Sequence, residues 1–123
     1  MPEKILVVDD SKTIRMQVNS AMSNHGYHVI EAEDGTIALD LLRRHPDVIV
    51  VFLDLNMPVL GGMETMKAIQ KDDSIRLPNI IILTTEDSAD RMEEAKKYGA
   101  KGWIVKPYNT KKLLDAVQRF SSS

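Results

Sequence analysis

The chain has 123 residues, 43% hydrophobic and 28% charged, with a formal net charge of −2 and no cysteine. That length suits one domain with its own core, and the missing thiols exclude disulfides and thiolate metal sites. The mild negative balance supplies no electrostatic pull toward nucleic acid or an anionic membrane.

Met1-Pro2-Glu3-Lys4 leads directly into the apolar run Ile5-Leu6-Val7-Val8, too short for a signal-peptide core. No later run nears the ~20 apolar residues of a membrane span, so a cytoplasmic location is expected. The first run reads as a buried strand ending in Asp9-Asp10. Ser11 is a good N-cap, and Ile14, Val18, Ala21 and Met22 follow at helical spacing until Asn24-His25-Gly26. Tyr27 to Glu31 reads as a short strand. Asp34 caps a second helix carrying Ile37, Ala38, Leu41 and Leu42, stopped by Pro46. Val48 to Leu53 is the most hydrophobic run, fit for a central strand, and it ends in Asp54. Pro58 and Gly61-Gly62 punctuate the next loop; Met63, Met66 and Ile69 mark a third helix. Ile80 to Leu83 runs into Thr84. Ala89, Met92 and Ala95 give a weaker helix ended by Tyr98-Gly99. Trp103-Ile104-Val105 is a brief strand ending in Lys106. Leu113, Leu114, Val117 and Phe120 form a last helix capped from Asn109 or Thr110, and Ser121-Ser122-Ser123 reads as a frayed end. Five strand–helix alternations in one domain spanning 1–123 predict a doubly wound parallel α/β sandwich.

The strand endings carry the chemistry. Ligands bind outside the carboxyl ends of strands in an open parallel sheet. Asp9, Asp10, Asp54, Thr84 and Lys106 all fall there. Three converging carboxylates repel one another, by about 4 kcal/mol per pair at ~4 Å and an effective dielectric of 20. A small hard cation between them relieves that, and oxygen-only ligands favour Mg²⁺ over zinc or copper. Lys106 adds a fixed positive charge. Asp54, on the central strand, is the best nucleophile, since aspartyl phosphates are established covalent intermediates. Thr84 is placed to donate a hydrogen bond to a phosphoryl oxygen. Each residue alone has an ordinary role in capping, turns or a solvated loop; their coincidence at one rim carries the reading.

Four segments, Val7-Val8-Asp9-Asp10-Ser11, Leu53-Asp54-Leu55-Asn56-Met57-Pro58, Leu83-Thr84-Thr85-Glu86 and Trp103-Ile104-Val105-Lys106-Pro107, resemble the receiver domain of bacterial response regulators. The resemblance covers nearly the whole chain. It implies a flavodoxin-like fold with five parallel strands in the order 2-1-3-4-5. It further implies that Asp54 takes a phosphoryl group from a sensor histidine kinase. Mg²⁺ would be held by Asp9, Asp10, Asp54 and the backbone carbonyl of Asn56. Lys106 would contact the phosphoryl group, its bond to Pro107 would be cis, Thr84 would be the switch hydroxyl and Trp103 the rotating aromatic. Asn56 and Glu86 stand at the positions that tune dephosphorylation, in a combination similar to single-domain chemotaxis regulators.

The chain stops after its fifth helix, so output is expected through a downstream protein bound on the face of helix four, strand five and helix five. Met92, Lys96, Tyr108, Lys111 and Lys112 are candidates for that face. A monomer or a weak phosphorylation-dependent dimer is expected, with no nucleic-acid or membrane partner. Three residues depart from the pattern. Trp103 replaces a smaller aromatic, Thr85 a small residue, and Gly61 an acidic cap. A phosphorelay intermediate that passes its phosphoryl group to a histidine phosphotransfer protein is one alternative. An aspartate-nucleophile phosphatase is another, although such enzymes usually carry Asp-x-Asp after the first strand.

Overall fold

The computed structural model describes residues 2–121. Ser122 and Ser123, part of the expected frayed end, lie outside the described residues. Strands β1 (Lys4–Val8), β2 (His28–Ala32), β3 (Val48–Leu53), β4 (Asn79–Thr84) and β5 (Ala100–Val105) alternate with five helices. These are α1 (Lys12–Ser23), α2 (Gly35–Arg44), α3 (Gly62–Lys71), α4 (Ala89–Lys97) and α5 (Thr110–Gln118). The strands form one parallel sheet in the order β2-β1-β3-β4-β5, as the resemblance implies.

Side chains alternate across a strand, so each strand feeds two cores. Leu6, Val8, Val51, Leu53, Ile80 and Ile82 pack against Ala38, Leu42, Met63, Met66, Ile69 and Ala95 of α2, α3 and α4. Ile5, Val7, Val50, Phe52, Ile81 and Leu83 face Val18, Met22, Leu113 and Val117 of α1 and α5. Burying each such aliphatic side chain contributes about 1.5–3 kcal/mol. That anchorage makes the strand ends rigid supports.

The expected caps form. The Ser11, Asp34 and Asn109 side chains accept from the amides of Ile14, Ile37 and Lys112, which settles the last helix on Asn109. Gly61 caps α3 with no side-chain hydrogen bond. Two elements differ from the sequence expectation. Strand β2 lies one residue later, and β5 begins at Ala100, three residues before the apolar run. Both are edge strands, and Ala100-Lys101-Gly102 lacks the apolar density that marks the interior ones.

Register aligns the carboxyl ends. Val8 pairs with both Ala32 and Leu53, and Thr84 with Val105. The ladders continue one step further: Asp9 N–H donates to Ala32 O, Asp54 N–H to Val8 O, and Lys106 N–H to Thr84 O. The loop after Asp54 then folds tightly back. A Cβ on Gly62 would sit 2.4 Å from the Asp54 carbonyl oxygen, and one on Gly35 would sit 2.0 Å from Thr65 Oγ1. Glycine is therefore required at both positions, and Gly35 was not singled out from sequence.

The same loop stores strain. Val59 has φ +69° and is 82% exposed. The Leu60 amide donates to the Pro58 carbonyl at 2.8 Å, closing a γ-turn of the rare, strained hand. A β-branched residue there costs about 1–2 kcal/mol. Val59→Asn, which tolerates this conformation, is expected to raise stability by about 1 kcal/mol. In urea unfolding the midpoint should rise with an unchanged slope.

Candidate phosphoryl and metal site

At the rim, Asp9, Asp10 and Asp54 each offer a carboxylate oxygen, and these atoms lie within 4.8 Å of one another. Asp9 and Asp54 are buried, while Asp10 is exposed at the mouth. Lys106 reaches between the buried pair, its Nζ 2.7 Å from Asp9 Oδ2 and 3.8 Å from Asp54 Oδ2. The second Asp9 oxygen, Oδ1, accepts from the Ser11 amide at 2.9 Å. An oxygen-only donor set with one exposed member suits a hard divalent cation that keeps some of its water.

Burial pushes the Asp54 carboxyl above the usual range, and the Asp9 charge adds to the rise. Lys106, the Asn56 amide and the Thr84 hydroxyl oppose it. Net positive charge is what the cluster lacks.

Around this core a chain of contacts links the remaining residues. Asn56, exposed, donates its amide N–H to Asp54 Oδ1 at 3.4 Å and its side-chain NH₂ to Glu86 Oε1 at 3.2 Å. Thr84 is buried, and its hydroxyl oxygen accepts from the Glu86 amide at 3.4 Å. The Trp103 indole N–H donates to the Glu86 carbonyl at 3.1 Å. Glu86 thus touches the loop of Asp54, the hydroxyl of β4 and the aromatic of β5. The Lys106–Pro107 peptide bond is cis. Thr85 is exposed to solvent.

The candidate binding face divides. Met92 and Lys96 line a groove with Trp103 between α4 and β5. Lys112 lines a second, between β5 and α5, again beside Trp103. Tyr108 sits elsewhere: it shares a groove with Gln17, Ser20 and Ala21 of α1, its hydroxyl 3.4 Å from Gln17 Oε1. Sequence reasoning also missed two cations near the site. Arg91 Nε faces Glu86 Oε2 at 3.5 Å, both atoms out of solvent and without a hydrogen bond. Arg15 reaches the backbone of Asp9. Its position one turn into the helix after β1 is the one local signal that could have found it.

A family model described as the response regulator receiver domain matches residues 5–118. The sporulation initiation phosphotransferase F of Bacillus subtilis is 35% identical over 98% of this chain and 94% of that relative. The chemotaxis protein CheY4 of Vibrio cholerae superposes with a TM-score of 0.90 at 39% identity, over 98% of this chain and 100% of that one. A chain of the CheX–CheY–BeF₃–Mg²⁺ complex of Borrelia burgdorferi superposes at 0.89 with 28% identity, over 97% and 89% of the two chains. With this fold, this rim and matches along nearly its whole length, the chain belongs to the response regulator receiver domain family and is similar to single-domain chemotaxis regulators.

Proposed function

We propose that the chain is a phosphorylation-controlled binding module, a single receiver domain over residues 1–123, whose phosphoryl acceptor is Asp54. The observation that carries the reading is Lys106 set between Asp9 and Asp54 beside a third carboxylate. An Asp54 carboxylate oxygen bonds to phosphorus as the donor's phosphorus–nitrogen bond breaks, and the kinase imidazole leaves with the bonding pair. Such transfer is mostly positioning and charge neutralisation. Lys106 supplies a charge to one phosphoryl oxygen. Asp9, Asp10, Asp54 and the Asn56 carbonyl would hold Mg²⁺, which when bound neutralises the remaining oxygens. The Borrelia complex, with Mg²⁺ and a phosphoryl mimic, supports that choice.

Thr84 couples the site to the surface. Its hydroxyl accepts from Glu86 and keeps its own proton to donate. A bond to the phosphoryl group draws Thr84 away from the Glu86 amide and loosens the carbonyl that Trp103 holds. The grooves flanking Trp103, on the α4–β5–α5 face, then present a different surface to a downstream protein. Asn56 and Glu86, joined by a hydrogen bond across the mouth, tune the lifetime of the phosphoryl group.

The proposed setting is cytoplasmic two-component signalling, with a histidine kinase upstream, chemotaxis as the favoured pathway and no turnover substrate. No helix among the described residues is long and apolar enough to cross a membrane. The Bacillus phosphotransferase keeps a relay role as second reading; rapid removal of the phosphoryl group by a histidine phosphotransfer protein would mark it. The test of the main reading is intact mass after incubation with acetyl phosphate and MgCl₂. Wild type should gain one phosphoryl group and Asp54→Ala none. A gain that persists in Asp54→Ala overturns the assignment.

A further inference from the structure

Arg15 is a half-buried cation that the phosphoryl chemistry leaves unused. It sits in the early part of α1 with its side chain only 13% exposed. Its Nη1 donates to the Asp9 backbone carbonyl at 2.6 Å, and its Nε donates to Glu31 Oε1 at 3.2 Å. The other Glu31 oxygen accepts from Asn19 Nδ2 at 2.9 Å. The brace therefore joins α1, β2 and the residue just past β1.

The need for it follows from where β1 stops. The Asp9 amide still pairs with Ala32, but the Asp9 carbonyl lies beyond the ladder. Asp9 is 1% exposed, so water cannot meet that oxygen. Without Arg15 it would carry the full penalty of an unmet buried acceptor. Glu31 balances the guanidinium charge, which leaves Arg15 little electrostatic effect on the acids and makes its contribution geometric.

All four polar groups of Asp9 are held: the amide by Ala32, the carbonyl by Arg15, Oδ1 by Ser11 and Oδ2 by Lys106. A cation entering the cluster competes for the carboxylate oxygens. It does not compete for the carbonyl. We propose that Arg15, seated by Glu31 and Asn19, is a positioning residue for the metal: it fixes the Asp9 backbone so that its carboxylate stays aimed at Asp10 and Asp54. This rests on the metal reading given above. Outer partners that orient ligands typically change metal affinity or activity by about 10–100-fold when removed.

The test is Mg²⁺ titration by calorimetry on the folded 123-residue chain, with folding checked by circular dichroism. Arg15→Met, which keeps an unbranched apolar stem and loses both donors, should weaken Mg²⁺ binding about tenfold. Arg15→Lys, with a donor but no fork, should fall between. The Mg²⁺ concentration for half-maximal phosphorylation by acetyl phosphate should rise, while the rate at saturating Mg²⁺ stays near wild type. A purely structural arginine would lower the urea midpoint and leave Mg²⁺ affinity alone; that result in either variant overturns the proposal. Should Arg15→Met not fold, Arg15→Lys and Asn19→Ala decide it by the same titration, both being expected to weaken binding. Wild-type affinity in Asp9→Asn, or no Mg²⁺ binding by wild type, would sink the metal reading itself and this inference with it.

Discussion

Replacing Asp54 with asparagine is expected to abolish phosphoryl uptake and also to make the metal-free protein more stable at neutral pH. The two effects share one cause. Burial and the neighbouring Asp9 charge raise the Asp54 carboxyl above its ordinary value, against the pull of Lys106. A carboxyl raised on folding stabilises the fold in its protonated form. That contribution is complete below the unfolded value of about 3.9 and is lost as pH rises through the higher folded value. At pH 7 the ionised group opposes folding. Unit charges ~4 Å apart repel by about 4 kcal/mol at an effective dielectric of 20. Lys106 attracts the ionised group more than Asp9 repels it, so what opposes folding is chiefly the loss of water around the buried carboxylate, and Asp54→Asn is expected to gain on the order of 1 kcal/mol.

The measurement is the stability difference between the two proteins in urea, taken across pH. Taking a difference cancels groups common to both, including Asp47 and Asp72, whose carboxyls are held low by Lys4 and by Ser74 with Arg43. The gap should be small near pH 4 and widen toward pH 7. Added Mg²⁺ should narrow it, because a ligand that binds only the folded state stabilises the protein that binds it better. A gap independent of pH would mean the carboxylate is not strained by its surroundings.

Legibility in the sequence followed burial. The interior strands β1, β3 and β4 are buried on both faces, so their apolar runs stood out and their polar endings marked the rim. From there Asp9, Asp10, Asp54, Thr84 and Lys106 could be read with no knowledge of strand order. The order itself came from the family resemblance, since an apolar run does not say which run it pairs with. Edge strands were less legible: β5 opens with Ala100-Lys101-Gly102, which reads as loop because half-burial demands no apolar run. Arg15 and Arg91 were invisible as site residues for another reason. Arg15 matters through Glu31, 16 positions away, and through a backbone carbonyl, neither of which leaves a periodic trace. Tyr108 followed Lys106 closely enough to suggest the Trp103 face, but after the turn at Pro107 it packs toward α1.

Lys106→Met should have the opposite effect on stability from Asp54→Asn, and a larger one. Lys106 and Asp9 form an ion pair with the carboxylate buried and the lysine mostly covered, their side-chain exposures being 13% and 2%. Breaking such a pair from one side strands the other charge, at a cost of about 3–5 kcal/mol. Here two carboxylates lose their cation together, since Nζ also lies 3.8 Å from Asp54. The loss should be largest in metal-free buffer at neutral pH and shrink on acidification, as the Asp54 carboxyl, raised by burial, takes up a proton. Mg²⁺ should recover more stability in Lys106→Met than in wild type, because the ammonium that occupies Asp9 Oδ2 no longer competes for that oxygen. Phosphorylation should not recover with it. The phosphoryl oxygen that Lys106 would meet stays uncompensated, and removing one such preorganised contact costs about 10²–10³ in rate. Urea unfolding with and without Mg²⁺, beside the rate of mass gain from acetyl phosphate, separates the two roles. A variant that Mg²⁺ restores in both would reduce Lys106 to a counter-ion, whereas restored stability with lasting loss of rate would make it part of the phosphoryl chemistry.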